Sequence, residues 1–386
     1  MKTAAVLITA MLLAGCATAP PMPPTAGLFD DSLFAARALP VRADDALAAS
    51  PAMRSYLEQK GLIGGRPIDR KKALFDALYR QGELRLEYDA AITRTAAEAF
   101  DARAGNCLAL VLMTGAFAHE LGLGVRYQLA LGDDPWDRAG ELAVEVGHVN
   151  LTLLDGPRNF MGSLGHGAEM TIDFQPPRDG RVPRVRVVAE HTVVAMYLNN
   201  RAVEALVQGA VDEAYWWVRA AVQRDPELLA AYLTLGVVYR RQHQPALADR
   251  ALARVVARAP GNVNALANRV PVLRELGRHQ EAAALEAQLA QLDPHPPFSY
   301  FNEGMAALRS HRLDAARSLF EKEVQRAPHR AEFQFWLAVT YLALNDVSGA
   351  RAHLARAVEA STSRADRALY AAKLDKLNAL GAVGIH

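Results

Sequence analysis

AYLTLGVVYRRQHQPALADRALARVVARAP, residues 231–260, carries the apolar spacing of two short helices parted by a polar break at Arg241–Gln244. Tyr232, Leu235, Gly236 and Tyr239 share a face of the first helix, Ala248 and Leu252 a face of the second, and Pro260 ends it. The small residues Gly236 and Ala248 suit two helices that cross closely. The pattern recurs at a fixed step. Pro226, Pro260, Pro294 and Pro328 are each 34 residues apart, and Ala214, Ala248, Ala282, Ala316 and Ala350 keep the same step. A helical hairpin repeated at this period implies a solenoid, in which each unit buries its apolar face on its neighbours.

The period and the residues Tyr232, Leu235, Gly236, Tyr239, Ala248, Leu252 and Pro260 resemble the tetratricopeptide repeat, with Tyr for Trp and Leu for Phe in its usual scheme. Leu337, Ala338, Tyr341, Ala350 and Leu354 form another copy. Five units fit residues 193–386, starting near residues 195, 229, 263, 297 and 331, with a capping helix after about 362. The third departs, having Val270 where a small residue is expected and Pro271 inside its first helix, so a kink is expected there. The resemblance implies a concave groove that binds a protein or peptide segment. It places Phe298, Phe301, Met305, Leu308, Phe335 and Val339 on or near that groove; packing against neighbouring repeats is the competing reading.

Upstream, residues 50–192 read as a separate α+β domain. RAGNCLALVLMTGAFAHELGLG, residues 103–124, sets Cys107 at the first turn of an apolar helix running to about Leu121. A cysteine inside such a helix is most simply a small core residue, whereas at its N-terminus a thiolate is favoured. A further helix is expected from about Thr93 to Arg103, and strands at VRYQLAL, LAVEVGHVNLTLLDG and AEMTIDF. Alternation puts Val146, His148, Asn150 and Thr152 on one face of their strand, and Thr171 with Asp173 on one face of theirs. Neighbouring strands so oriented bring a carboxylate beside an imidazole.

Three motifs in chain order, RAGNCLALVLMTGAFAHELGLGVRYQ, GHVNLTLLDG and MTIDFQPP, resemble the transglutaminase-like members of the papain-like cysteine hydrolase superfamily. The fold implied is an α+β transglutaminase-like domain followed by an all-α tetratricopeptide-repeat solenoid. The resemblance makes Cys107 the nucleophile, His148 the general base and Asp173 the residue that orients it. His119, His166 and His191 are the competing histidines, and Asp155 the alternative acid. Asn150 departs from the family's frequent aromatic at that position, which argues against protein cross-linking. The acidic loop Asp133–Asp137 is read as a solvated loop, and no metal or cofactor is expected.

The N-terminus, MKTAAVLITAMLLAGC, has Lys2, a short apolar run and Leu13-Ala14-Gly15-Cys16, and resembles a bacterial lipoprotein signal. This implies cleavage after residue 15, lipidation of Cys16, and a Pro-rich tether over residues 16–49. Ala17 favours the outer membrane, facing the periplasm. The 386 residues include two cysteines, so Cys107 would be the sole thiol of a mature exported chain. A net charge of +1 gives no reason to expect nucleic acid. Two functions are consistent with the sequence. One is a membrane-anchored cysteine hydrolase of peptide or amide bonds, its partner selected by the repeats; the other is a non-catalytic assembly lipoprotein that binds protein through both domains.

Overall fold

The computed structural model describes residues 25–37, 40–64, 69–80, 84, 86–90, 92–131, 136–139, 142–145, 148–155, 169–174, 184–292 and 298–383. Two 3₁₀ turns, Asp31–Leu33 and Ala43–Leu47, precede α1 (Pro51–Gln59) and α2 (Arg70–Tyr79). A two-residue strand β1 (Glu87–Tyr88) follows, then α3 (Ala96–Ala102), β2 (Ala104–Gly105) and α4 (Cys107–Glu120). Next come β3 (Gly124–Leu131), β4 (Trp136–Ala139), β5 (Leu142–Glu145), β6 (His148–Leu154), β7 (Met170–Ile172) and β8 (Arg184–Val188).

β7, β6, β3 and β8 form an antiparallel sheet in that order, β4 and β5 a hairpin, and β1 and β2 a short parallel pair. Every residue of α4 from Cys107 to Ala118 is buried. A helix apolar on all sides belongs in a core, and α4 lies against β6 and β3. Val149, Leu151 and Leu153 of β6 are fully buried. A Cβ at Gly115 would collide with the Tyr127 hydroxyl of β3, so the close approach of helix and sheet requires glycine.

Ten helices then alternate as hairpins. They are α5 (Glu190–Val207), α6 (Val211–Arg224), α7 (Leu229–Arg241), α8 (Pro245–Arg258), α9 (Val263–Glu275), α10 (His279–Leu292), α11 (Ser299–Arg309), α12 (Leu313–Arg326), α13 (Ala331–Ala343) and α14 (Val347–Ala360). The last helix, α15 (Arg364–Val383), packs on α14. A Cβ at Gly236 would lie 2.7 Å from Leu252, which fixes how closely α7 and α8 cross. Pro226, Pro260 and Pro328 each stand two residues past a helix end, while Pro294 lies outside the described residues. α9 continues through Pro271 as one helix, Val263–Glu275.

Residues 25–37 and 40–49, expected within the tether, make packing contacts with the folded chain. Leu28 and Phe34 are buried, and Phe34 stacks on Tyr215 at 3.8 Å and 6°. The Tyr239 hydroxyl donates to the Leu28 carbonyl at 2.8 Å and accepts from the Asp30 N–H at 3.2 Å. Tyr215 donates to Asp31 at 2.6 Å, Trp216 to the Ala35 carbonyl at 2.8 Å and Gln242 to the Leu33 carbonyl at 2.7 Å. LFDDSLF thus supplies apolar residues that fill the side of the first two hairpins, a role its proline-rich neighbourhood concealed. The turn Ala43–Leu47 lies against α3, α4 and α5, with Ala46 fully buried. One apolar core runs from this strap through the sheet domain into α9.

Candidate functional site

Cys107 reaches its place through a chain of local devices. Thr95 and Glu98 form a reciprocal capping box that starts α3. Arg103 ends that helix in a left-handed conformation, φ 50°, and turns the chain into β2. Asn106 caps α4, its Oδ1 accepting from the Ala109 N–H at 2.9 Å, while its Nδ2 donates to Thr93 Oγ1 at 2.8 Å. Cys107 is therefore the first residue of α4, at the end where backbone N–H groups are free to meet an anion or oxyanion. It is 8% exposed, and its thiol forms no disulfide and donates to the Tyr88 hydroxyl at 3.7 Å.

The antiparallel register pairs Leu151 with Ile172, so the next position sets Asp173 opposite Asn150 and diagonal to His148. Asp173 uses both positions. Its Oδ1 lies 2.7 Å from His148 Nε2, and its Oδ2 accepts from Asn150 Nδ2 at 3.2 Å. A further hydrogen bond joins the His148 ring to Cys107. Burial opposes a charge on the His148 ring. The hydrogen bonds to Asp173 and Cys107 and their charges outweigh it and raise its pKa to about 10. The cationic form of the ring is favoured, with the Asp173 carboxylate on one side and the Cys107 sulfur on the other. Cys107, His148 and Asp173 are thus brought together at the junction of α4 and the sheet.

The competing residues are committed elsewhere. His119 pairs with Glu190 at 3.2 Å, His191 is exposed on α5, and Asp155 binds the buried Lys71. His166, the loop residues Asp133, Asp134 and Pro135, and Cys16 lie outside the described residues. Two roles escaped the sequence reading. Asn150, placed by alternation on the face of His148 but given no part in the site, steadies Asp173. Tyr88 arrives through the parallel pairing of Tyr88 with Gly105, which no local pattern announces.

The aromatic stripe assigned to a groove is largely core. Phe298 and Phe301 are 4% and 3% exposed and pack with Phe320 and Phe333. Met305 and Leu308 are half-buried against the same cluster. Phe335 stacks on Tyr370 of α15 at 4.9 Å, and Val339 is half-buried. Apolar positions at helical spacing are covered here by neighbouring helices, with Phe298 and Phe301 buried and the other four half-buried.

Residues 233–297 and 301–365 match the tetratricopeptide repeat family model. The chain carries tetratricopeptide repeats. A curated relative, the type IV pilus assembly protein PilF of Pseudomonas aeruginosa, is 30% identical over 122 residues, 31% of this chain. The match spans 48% of that protein, so the chain covers about half the length of the curated relative it matches. Among solved structures, P. aeruginosa PilF is 21% identical over 49% of this chain and 92% of its own, with a TM-score of 0.29. TTC0263, a thermophilic TPR protein of Thermus thermophilus, is 18% identical over 47% of this chain and 98% of its own, with a TM-score of 0.31. YrrB, described as a TPR protein with an unusual peptide-binding site, is 21% identical over 47% and 92%, with a TM-score of 0.26.

Proposed function

We propose that this chain is a protein-binding scaffold whose tetratricopeptide repeats hold a segment of a partner protein. The repeat match over residues 233–297 and 301–365 supports this reading, as does the partial likeness to a pilus assembly protein. The surface we assign to it lies on α9 and α11, where Ala267, Asn302 and Glu303 are exposed, since Phe298 and Phe301 are buried. The test is partner capture by the full chain with a cross-linker placed at Ala267 or Glu303; a chain that captures nothing above a scrambled control would defeat it.

A second reading adds chemistry to the scaffold, and the geometry at Cys107 favours it. A thiol at a helix N-terminus, an imidazole and a carboxylate 2.7 Å from that ring are the components of cysteine-dependent acyl chemistry on a transglutaminase-like α+β domain. In that reaction the sulfur attacks an amide or peptide carbonyl to form a thioester. His148 donates its proton to the departing amine, and then takes a proton from the water that hydrolyses the thioester. Asp173 keeps the ring oriented and favours its cationic form, and N–H groups at the start of α4 face the oxyanion. An electrophilic thiol probe tests it: wild-type protein labels at neutral pH and His148→Ala does not.

We further propose that Cys16 carries lipid and holds the chain at the bacterial envelope, on the outer membrane facing the periplasm. Leu13-Ala14-Gly15-Cys16 supports this. No helix among the described residues is long and apolar enough to cross a membrane.

A further inference from the structure

The two ends of the repeat array grasp the same short stretch of the N-terminal domain. At the near end, α5 holds Thr93: Glu204 accepts from its N–H at 2.7 Å, and Arg201 and Asn200 reach its carbonyl and hydroxyl at 3.4 Å. At the far end, the connection between α14 and α15 holds residues only a few positions earlier. The Ala90 N–H donates to the Thr362 carbonyl at 3.2 Å, and Arg364 forms an ion pair with Glu87. Both anchorages lead to the thiol. Thr93 binds Asn106, the cap of α4, and Tyr88 lies between Glu87 and Ala90 with its hydroxyl against Cys107.

We propose that the repeat array governs access to Cys107, with the α14–α15 connection acting as a latch that holds Tyr88 over the sulfur. A solenoid's repeats contact mainly their neighbours, so small rotations at each interface add up along the array. Thr362 and α5 stand at opposite ends of that array, yet both hold residues within a few positions of each other. A change in curvature therefore moves Ala90 relative to Thr93 and draws Tyr88 from the thiol. The latch is suited to this because it is weak. Arg364 and Glu87 are 66% and 57% exposed, and exposed pairs of this kind contribute little. A segment bound along the repeats that straightens or tightens them would shift the balance between covered and open thiol. The inference concerns access to the sulfur and does not require that the sulfur turn over a substrate.

The experiment uses the full chain with Cys16→Ser, so that Cys107 is the sole thiol, and follows its labelling by iodoacetamide under native conditions. Arg364→Glu and Glu87→Arg each break the ion pair from one side, and each is expected to speed labelling roughly threefold or more. The doubly reversed chain, Glu87→Arg with Arg364→Glu, restores the pair and returns the rate toward the original. Tyr88→Ala labels fast by itself, and adding Arg364→Glu to it brings no further gain. Circular dichroism melts confirm that each variant is folded, and either single reversal reads the same contact if the other fails to fold. Equal rates across the set overturn the latch. So does a gain from Arg364→Glu that persists undiminished in the Tyr88→Ala chain, since the contact would then act by a route other than Tyr88.

Discussion

His148 and Asp173 meet across two neighbouring strands, Nε2 to Oδ1 at 2.7 Å, while Asn150, directly opposite Asp173, holds its second oxygen at 3.2 Å. One carboxylate is thus shared between a diagonal and a direct cross-strand partner, and both of its oxygens are fixed. The arrangement makes the orientation of the imidazole a property of sheet register.

Cys107→Ser and His148→Ala should each abolish most labelling by an amide-mimicking thiol probe, by roughly a hundredfold for His148→Ala. Asp173→Asn should be similar or milder. Asn150→Ala should slow labelling less than Asp173→Asn, since it loosens the carboxylate without removing it. Rates from mass spectrometry of the intact protein decide the order. A His148→Ala chain that labels like the original would show that the ring does not serve the thiol.

The His148 pKa of about 10, against 6.5 for the free side chain, has a sign that can be checked. A ring that holds its proton more tightly when folded contributes stability that is fully present below about pH 6.5. That contribution declines as pH rises and is gone above about pH 10. The difference in melting temperature between the original chain and His148→Gln should therefore narrow between pH 6.5 and 10. A ring titration followed by NMR that centres near 6.5 in the folded protein would contradict the geometry.

Phe34→Ala should destabilise the chain by about 3–5 kcal/mol, the usual cost of emptying a buried phenylalanine site. The ring is 6% exposed and is stacked on Tyr215, so little can collapse into its place. A fragment of residues 193–386 should be helical but melt below the full chain, because Tyr215 and Tyr239 lose their cover. Urea titrations of the two, followed at 222 nm, give the comparison.

Cys16→Ser should leave the protein unprocessed or misplaced, with a changed membrane fraction. Fractionation with an antibody to the repeats measures it, and an unchanged membrane fraction would argue against lipid at this position.

What could be read from the sequence was local. The 34-residue step, the start of an apolar helix at Cys107 and the alternation that sets His148 beside Asn150 all reside in short stretches whose pattern survives without neighbours. What escaped was tertiary. Tyr88 lies on a strand of two residues, too short for any alternation, and reaches Cys107 through pairing with Gly105. Asn150 shares the His148 face, and its part emerges only from a register that puts Asp173 opposite. Phe298 and Phe301 have the spacing of a groove or of a core, and only the position of α12 decides between them. The role of residues 25–37 was hidden by the proline-rich stretch that precedes them, and their partners lie on helices far along the chain.

That last distance has a consequence for how the protein is made. The hydrogen bonds between residues 25–37 and the helical hairpins join positions 181 to 223 apart in the chain. A segment synthesised among the first can find Tyr215, Trp216, Gln242 and Arg250 only after most of the polypeptide has emerged. Until then Leu28 and Phe34 are exposed, available to a chaperone or to a wrong surface. The cost of closing a loop grows only with the logarithm of its length, so the delay is one of order rather than of energy. Residues made early thus pack late, and the array's first two hairpins remain uncovered until this segment returns to them.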